Sequence, residues 1–201
     1  MKTITTPIIL ILCSLATFCS GYSSVFAKGN EASTEEYAVY SAVIQAMFVK
    51  ENVKTIVIAK QTTFYDYKSI WQKPEDYIRV MLEQLRPISL DTIKDFERAN
   101  KEQSELSGRL NLTVKYVLLD RELPTNTPEA YAERWRSFYD KYPNSPGIIS
   151  LSRVGFNANR DQAIIYVANT CGGLCGKGYY VLLTESSGNW KIERDLMLSV
   201  S

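Results

Sequence analysis

The loop Cys171-Gly-Gly-Leu-Cys175-Gly-Lys-Gly178 sits between two strand-like runs, Ala163 to Asn169 and Tyr179 to Thr184. No other feature of the chain narrows its fold as much. A link this short joins its flanking strands as an antiparallel hairpin, because a parallel return needs a dozen residues or more. Gly172, Gly173, Gly176 and Gly178 let the turn reach positive φ without a Cβ clash. In an oxidising compartment two cysteines this close form a disulfide. Cys171 and Cys175 would close a ring of about five residues, worth ~2 kcal/mol by chain entropy. The expected role is a staple on the hairpin turn.

Other chemistries for this loop fail on spacing. A redox pair has two intervening residues and opens a helix, whose dipole lowers the thiol pKa. Here three intervene and a strand follows. Two thiolates need two more ligands to hold zinc, and the chain contains no histidine. A phosphate loop requires glycine at the position of Cys171, Ser or Thr at Gly178, and then a helix. No metal and no cofactor is expected.

The remaining cysteines, Cys13 and Cys19, fall in residues 1–27, which read as a secretory signal peptide. Lys2 supplies the basic end, and Pro7 to Phe18 is an apolar run too short to span a bilayer. Val25-Phe26-Ala27 ends in the small residue at which cleavage is expected. A lipid anchor is disfavoured, because Phe18 precedes Cys19 and Leu12 precedes Cys13. The protein is therefore expected to be periplasmic or secreted, with residues 28–201 as a single domain. The full chain carries 23 basic and 22 acidic residues; cleavage removes Lys2 and no acid, leaving 22 of each. A balanced charge offers no field for nucleic acid. No second apolar segment is long enough for a stable membrane span.

Periodicity places the elements. Lys28 to Ala32 reads as a mobile tail. Ser33-Thr-Glu-Glu36 resembles a capping box, followed by apolar residues at helical spacing over 34–49. Thr55 to Ala59 reads as a buried strand. Pro74 opens a second helix, which Pro87 stops, and Ser89 caps a third. That third helix carries Ile93 and Phe96, and its second half, the polar stretch Asn100 to Ser107, is expected on the surface. Leu112 to Leu119 reads as a strand, and Pro128 opens a helix striped by Tyr131, Trp135, Phe138 and Tyr139. Four strand-like runs then follow, Ile148–Phe156, Gln162–Asn169, Gly178–Thr184 and Asn189–Val200, with hairpin-length links. The expected fold class is α+β, N-terminal helices packed on one face of a C-terminal antiparallel sheet of about four strands.

This order of elements, with the ending Gly188-Asn-Trp-Lys-Ile192, resembles cone-shaped α+β domains of the nuclear-transport-factor-2-like or cystatin-like kind. Ser152-Arg-Val-Gly-Phe-Asn157, Ala163-Ile-Ile-Tyr-Val167, the cysteine loop and Trp190 resemble a group of uncharacterised bacterial exported proteins. Those resemblances imply an exported α+β domain and no particular activity.

Without histidine, Ser–His and Cys–His nucleophile pairs are excluded. An enzyme would have to work with carboxylates, and Asp66, Asp120, Glu122, Asp161 and Glu185 are available, none in a specific spacing. Phe64-Tyr-Asp-Tyr-Lys-Ser-Ile-Trp71 is the best binding candidate; Tyr65, Tyr67 and Trp71 could stack on a sugar or peptide, or fold inward against the helices. Trp135 and Trp190 read as core. Arg153, on a strand-like run, could receive an anion, pair with a buried acid or face solvent. Asn111-Leu-Thr113 matches a glycosylation sequon, which matters in a eukaryotic secretory route. The expected function is a non-catalytic exported domain that binds a ligand or an envelope partner. The competing expectation is a histidine-free, carboxylate-dependent hydrolase, and a thiol–disulfide protein is a distant third.

Overall fold

The computed structural model describes residues 31–63, 73–120 and 127–200. The signal peptide reading and the aromatic run with Tyr65, Tyr67 and Trp71 lie outside the described residues.

Helix α1 (Thr34–Met47) begins where its sequence says it should. The Ser33 hydroxyl accepts from the Glu36 amide at 3.2 Å, and the Glu36 carboxylate accepts from the Ser33 amide at 2.8 Å. That reciprocal pair satisfies two amides a helix start otherwise leaves bare. Strand β1 (Thr55–Ala59) follows, then helices α2 (Pro74–Gln84) and α3 (Leu90–Ala99), strand β2 (Lys115–Leu119) and helix α4 (Pro128–Lys141). Strands β3 (Ile148–Leu151), β4 (Gly155–Phe156), β5 (Gln162–Thr170), β6 (Lys177–Ser186) and β7 (Asn189–Val200) complete the order.

The protein is of mixed α+β type, but its sheet is larger than expected and not wholly antiparallel. Seven strands form one sheet in the order β2-β1-β3-β5-β6-β7, with β4 paired to β5. The expected antiparallel unit is present as β3-β5-β6-β7. β1 and β2 extend it by parallel pairing, β1 lying between β2 and β3. Nor are the helices all N-terminal, since α4 connects β2 to β3. Both departures have one cause. Ile56, Val57 and Ile58 are fully buried, and a strand buried on both faces is stable inside a sheet rather than at its edge.

The same requirement places helices on both faces. On one side, Tyr37, Val39, Tyr40, Val43 and Ile44 of α1 pack with Ile56 and Ile58 and with Ala163, Ile165 and Val167. On the other, Tyr77, Met81 and Leu85 of α2 and Ile93 and Phe96 of α3 cover Ile164, Tyr166, Tyr180 and Leu182. Trp135 of α4 covers Val57 and Ile148 on that second face. Residues 162–167 of β5 are buried without alternation, as a strand between two helical layers must be.

Two sequence expectations fail at the end of the sheet where β1 and β3 finish. The third helix ends at Ala99 rather than running through residues 100–107, and that stretch is only partly surface: Lys101, Glu102, Gln103 and Glu105 are exposed, whereas Asn100, Ser104 and Leu106 are buried. The Leu106 amide donates to the Lys60 carbonyl at 2.7 Å, and the Thr62 amide to the Ser104 carbonyl at 2.8 Å. The polar residues there answer the free backbone groups of the strand ends. Ala32 is likewise no tail residue; it is 2% exposed, and Glu31 bridges to Glu105.

Strand β7 borders the sheet. Its pairing with β6 slips twice, skipping Glu193 and Leu198 on β7. Lys191, Glu193, Arg194 and Asp195 are exposed along it.

Candidate functional site

The deepest ionised group lies where β3 ends. The chain leaves Leu151 through Ser152 and Arg153, and Asn100, which caps the C-terminus of α3, holds it there. Its side-chain carbonyl accepts from the Arg153 amide at 2.8 Å, and its side-chain amide donates to the Arg153 carbonyl at 3.0 Å. The clamp sends the Arg153 side chain towards α1. Nε donates to Glu36 Oε1 at 2.6 Å and Nη2 to Oε2 at 3.0 Å, a bidentate pair. Glu36 also accepts from the Ser33 and Val154 amides and from the Tyr40 hydroxyl. Its side chain is 4% exposed, that of Arg153 17%. Of the readings open for Arg153 in the sequence, pairing with a buried acid describes its contacts.

Burial is the largest influence on the Glu36 carboxyl and by itself raises its pKa. The Arg153 hydrogen bond and charge, with the Ser33 and Val154 amides, outweigh burial and hold it below its ordinary value. The same hydrogen bond raises Arg153. Burial, then the Glu36 charge, raises Tyr40 well above its ordinary value.

This pair floors a cleft of about 440 Å³ bordered by Asp95, Arg98, Lys101, Glu102 and Arg160. Arg98 pairs with Asp95 and Arg160 with Glu35, and the Arg160 guanidinium stacks 4.2 Å from the Phe156 ring centre. Charges of both signs meet here, and the arginines are engaged. A general acid at neutral pH needs a raised carboxyl, whereas the deepest acid of this cleft is lowered.

A second groove, of about 460 Å³, runs between α1 and the β6–β7 hairpin. Thr34, Ala38, Ser41, Ala42 and Gln45 line one wall, being on one side of the helix at three- and four-residue spacing. Tyr37, Arg109, Asn111, Gly188, Asn189 and Trp190 complete it. No carboxylate and no thiol is among these residues. Trp190 is half-buried; its ring meets that of Phe156 at 5.7 Å and 60°. Arg109 stacks 4.8 Å from the Tyr37 ring centre and donates to Glu31 and to the Thr34 hydroxyl.

The remaining sequence candidates are dispersed. The sulfurs of Cys171 and Cys175 are at disulfide distance, with their Cα atoms 5.4 Å apart, in the turn from β5 to β6. Positive φ occurs at Gly172 and Gly173 but not at Gly176 or Gly178. The loop rests on α4: Tyr139 donates to the Cys171 carbonyl at 3.0 Å, and Gly172 lies against the Trp135 ring. Among the acids, Asp120 pairs with Lys60, which also holds Glu105. Asp161 accepts from Asn157, and Glu185 from the Gly188 amide. Asp66 and Glu122 lie outside the described residues. Among the described residues no group of three or more potential ligands could hold a metal, and no helix is long and apolar enough to cross a membrane.

Sequence reading missed the groove. Glu36 was visible only as a cap, and Trp190 only as core. The signal on α1 was a stripe of small and polar residues, which is also what a solvent-facing side looks like. Comparison of the chain with family models, curated proteins and solved structures finds no match.

Proposed function

We propose that the protein is an exported, non-catalytic binding domain whose ligand occupies the groove between α1 and the β6–β7 hairpin. The observation that carries this reading is the lining of that groove. It combines aromatic and amide side chains with the small residues Ala38, Ala42 and Gly188. Among the described residues it contains no carboxylate, thiol or histidine to move a proton or attack a bond at neutral pH. The Cys171–Cys175 pair supports export to an oxidising compartment.

The test is native mass spectrometry after incubation of the purified protein with small-molecule, glycan and peptide fractions of an envelope extract. A bound mass should be retained unchanged by the wild type. It should be lost from Ala38→Trp, which fills the groove from an exposed position. Equal binding by Ala38→Trp would remove the groove reading.

The hydrolase reading rests on the other cleft, where Glu36, Asp95 and Glu102 meet. Its mark would be a ligand that is consumed by the wild type and untouched by Asp95→Asn.

A further inference from the structure

We infer that this groove takes a neutral glycan, with a sugar ring set against Trp190. The inference rests on the groove being the ligand site and names the class of ligand.

Charge decides first. The one cation in the lining, Arg109, is engaged by Glu31, by the Thr34 hydroxyl and by the face of Tyr37. No open cation awaits a phosphate or carboxylate, and no lining acid awaits an amine. A charged ligand would enter unpaired, which is costly in a partly desolvated site.

Hydrogen-bonding capacity decides next. The Ser41 proton is used, donated to the Tyr37 carbonyl at 2.7 Å, and its oxygen already accepts from the Asn111 backbone amide at 2.9 Å. The Tyr37 hydroxyl is taken by Ser107. Gln45 is half-used: its Oε1 accepts from the Thr113 amide and hydroxyl, both at 3.1 Å. Those bonds fix its orientation, and Nε2 meets no protein partner among the described residues. The Asn111 side chain is open on the same terms. Asn189, the third lining amide, donates its Nδ2 to the Ser187 carbonyl at 3.0 Å. Three planar amides, two of them held by protein bonds, suit ligands that present adjacent hydroxyls, each a donor and an acceptor.

Shape decides last. The C–H face of a sugar needs a flat apolar surface. Trp190 supplies one and is held by Phe156, so little ordering is needed on binding. The small residues Ala38, Ala42 and Gly188 leave room beside it, and about 460 Å³ falls within the range of small-ligand sites.

The test is titration of the ¹⁵N-labelled protein with chitotetraose, cellotetraose or maltotetraose, alongside inorganic phosphate, succinate and tetra-alanine. The inference expects saturable shifts of the Gln45 and Asn111 amides and the Trp190 indole with at least one oligosaccharide. Gln45→Glu keeps the acceptor for Thr113 and removes the Nε2 donors. It and Asn111→Ala should each weaken binding about 3- to 10-fold, the effect of one neutral hydrogen bond. Trp190→Ala should weaken it more; because that ring also packs on Phe156, the two amide variants carry the test. If phosphate, succinate or the peptide shifts the groove and no oligosaccharide does, the glycan inference fails and the groove reading stands. If no probe shifts the groove, or all shifts fall elsewhere, both fail.

Discussion

The substitution Glu36→Gln removes the charge of the Glu36–Arg153 pair and, with it, one of the two accepting oxygens. Glutamine suits the same position of a capping box and keeps the side-chain volume, but its single oxygen can accept from the Ser33 amide or from the Val154 amide, not from both. It removes the anion beside a guanidinium that is 17% exposed and leaves one of those two amides without its acceptor. Breaking a buried ion pair from one side costs about 3–5 kcal/mol, because the surviving charge stays buried and unpaired. Arg153 retains some contact with water, so about 3 kcal/mol is expected, with a fall in melting temperature of roughly 6–12 °C for a chain of this size. The pH dependence gives a second handle. The folded Glu36 carboxyl lies below its ordinary value, so on acidification the unfolded chain takes up its proton first. The contribution is therefore complete above the unfolded value of about 4.3 and lost as pH falls through the lower, folded one. Urea unfolding followed by tryptophan fluorescence should show the variant less stable at pH 7 with an unchanged slope. The two stability curves should converge below about pH 4. A gap that does not narrow with acid, or a variant as stable as the wild type at pH 7, would refute the argument. A cycle with Arg153→Met isolates the pairwise part, since the double variant should recover much of what either single variant loses.

Other outcomes follow from local geometry. A Cβ at Gly155 would lie 2.4 Å from the Phe96 backbone, so Gly155→Ala must part β4 from α3 and should cost more than 2 kcal/mol in denaturant unfolding. Gly173, unlike Gly155, has positive φ, but it opens on empty space, so Gly173→Ala should cost about 1 kcal/mol. Equal costs at the two sites would contradict the contact argument. Gln162→Leu should cost about 2–3 kcal/mol, because Gln162 accepts from the Ser89 amide and the Thr92 hydroxyl and donates to the Pro87 carbonyl, all at the start of α3. The same unfolding assay reads it. Thiol titration of the native, unreduced protein should find no free thiol at Cys171 or Cys175, and reduction should lower stability by about 2 kcal/mol.

The parts of the fold legible in the sequence are those set by neighbours in the chain. Ser33 and Glu36 are three residues apart, and their cap is present. The β5–β6 and β6–β7 hairpins follow from short links between strand-like runs. What escaped were contacts between distant segments. A run such as Ile56-Val-Ile58 shows that a strand is buried, but nothing in it names β2 and β3 as parallel neighbours. Arg153 finds Glu36 across 117 residues, and neither carries a mark of the other. Residues 100–107 look like surface by composition. Asn100, Ser104 and Leu106 are nonetheless buried, and the backbone of Ser104 and Leu106 bonds to the chain leaving β1, because strand ends need hydrogen bonds as much as the core needs apolar side chains. The groove was hidden for a related reason: small and polar residues on a helix face are neutral as a pattern, and become a wall only when a hairpin stands opposite.

At high concentration the outer edge of β7 governs whether copies of the chain stay apart. An unpaired strand of this length can template a neighbour. Two copies joining edge to edge about a two-fold axis would set one residue opposite itself, its own type in the partner. Centred on Glu193, Arg194 or Asp195, that register opposes like charges, which is destabilising. Shifted towards the C-terminus, it meets the second slip at Leu198, where the strand twists out of line. The order Lys191-Ile-Glu-Arg-Asp195 thus disfavours those edge-to-edge registers at the border where, among the described residues, no further strand pairs with β7.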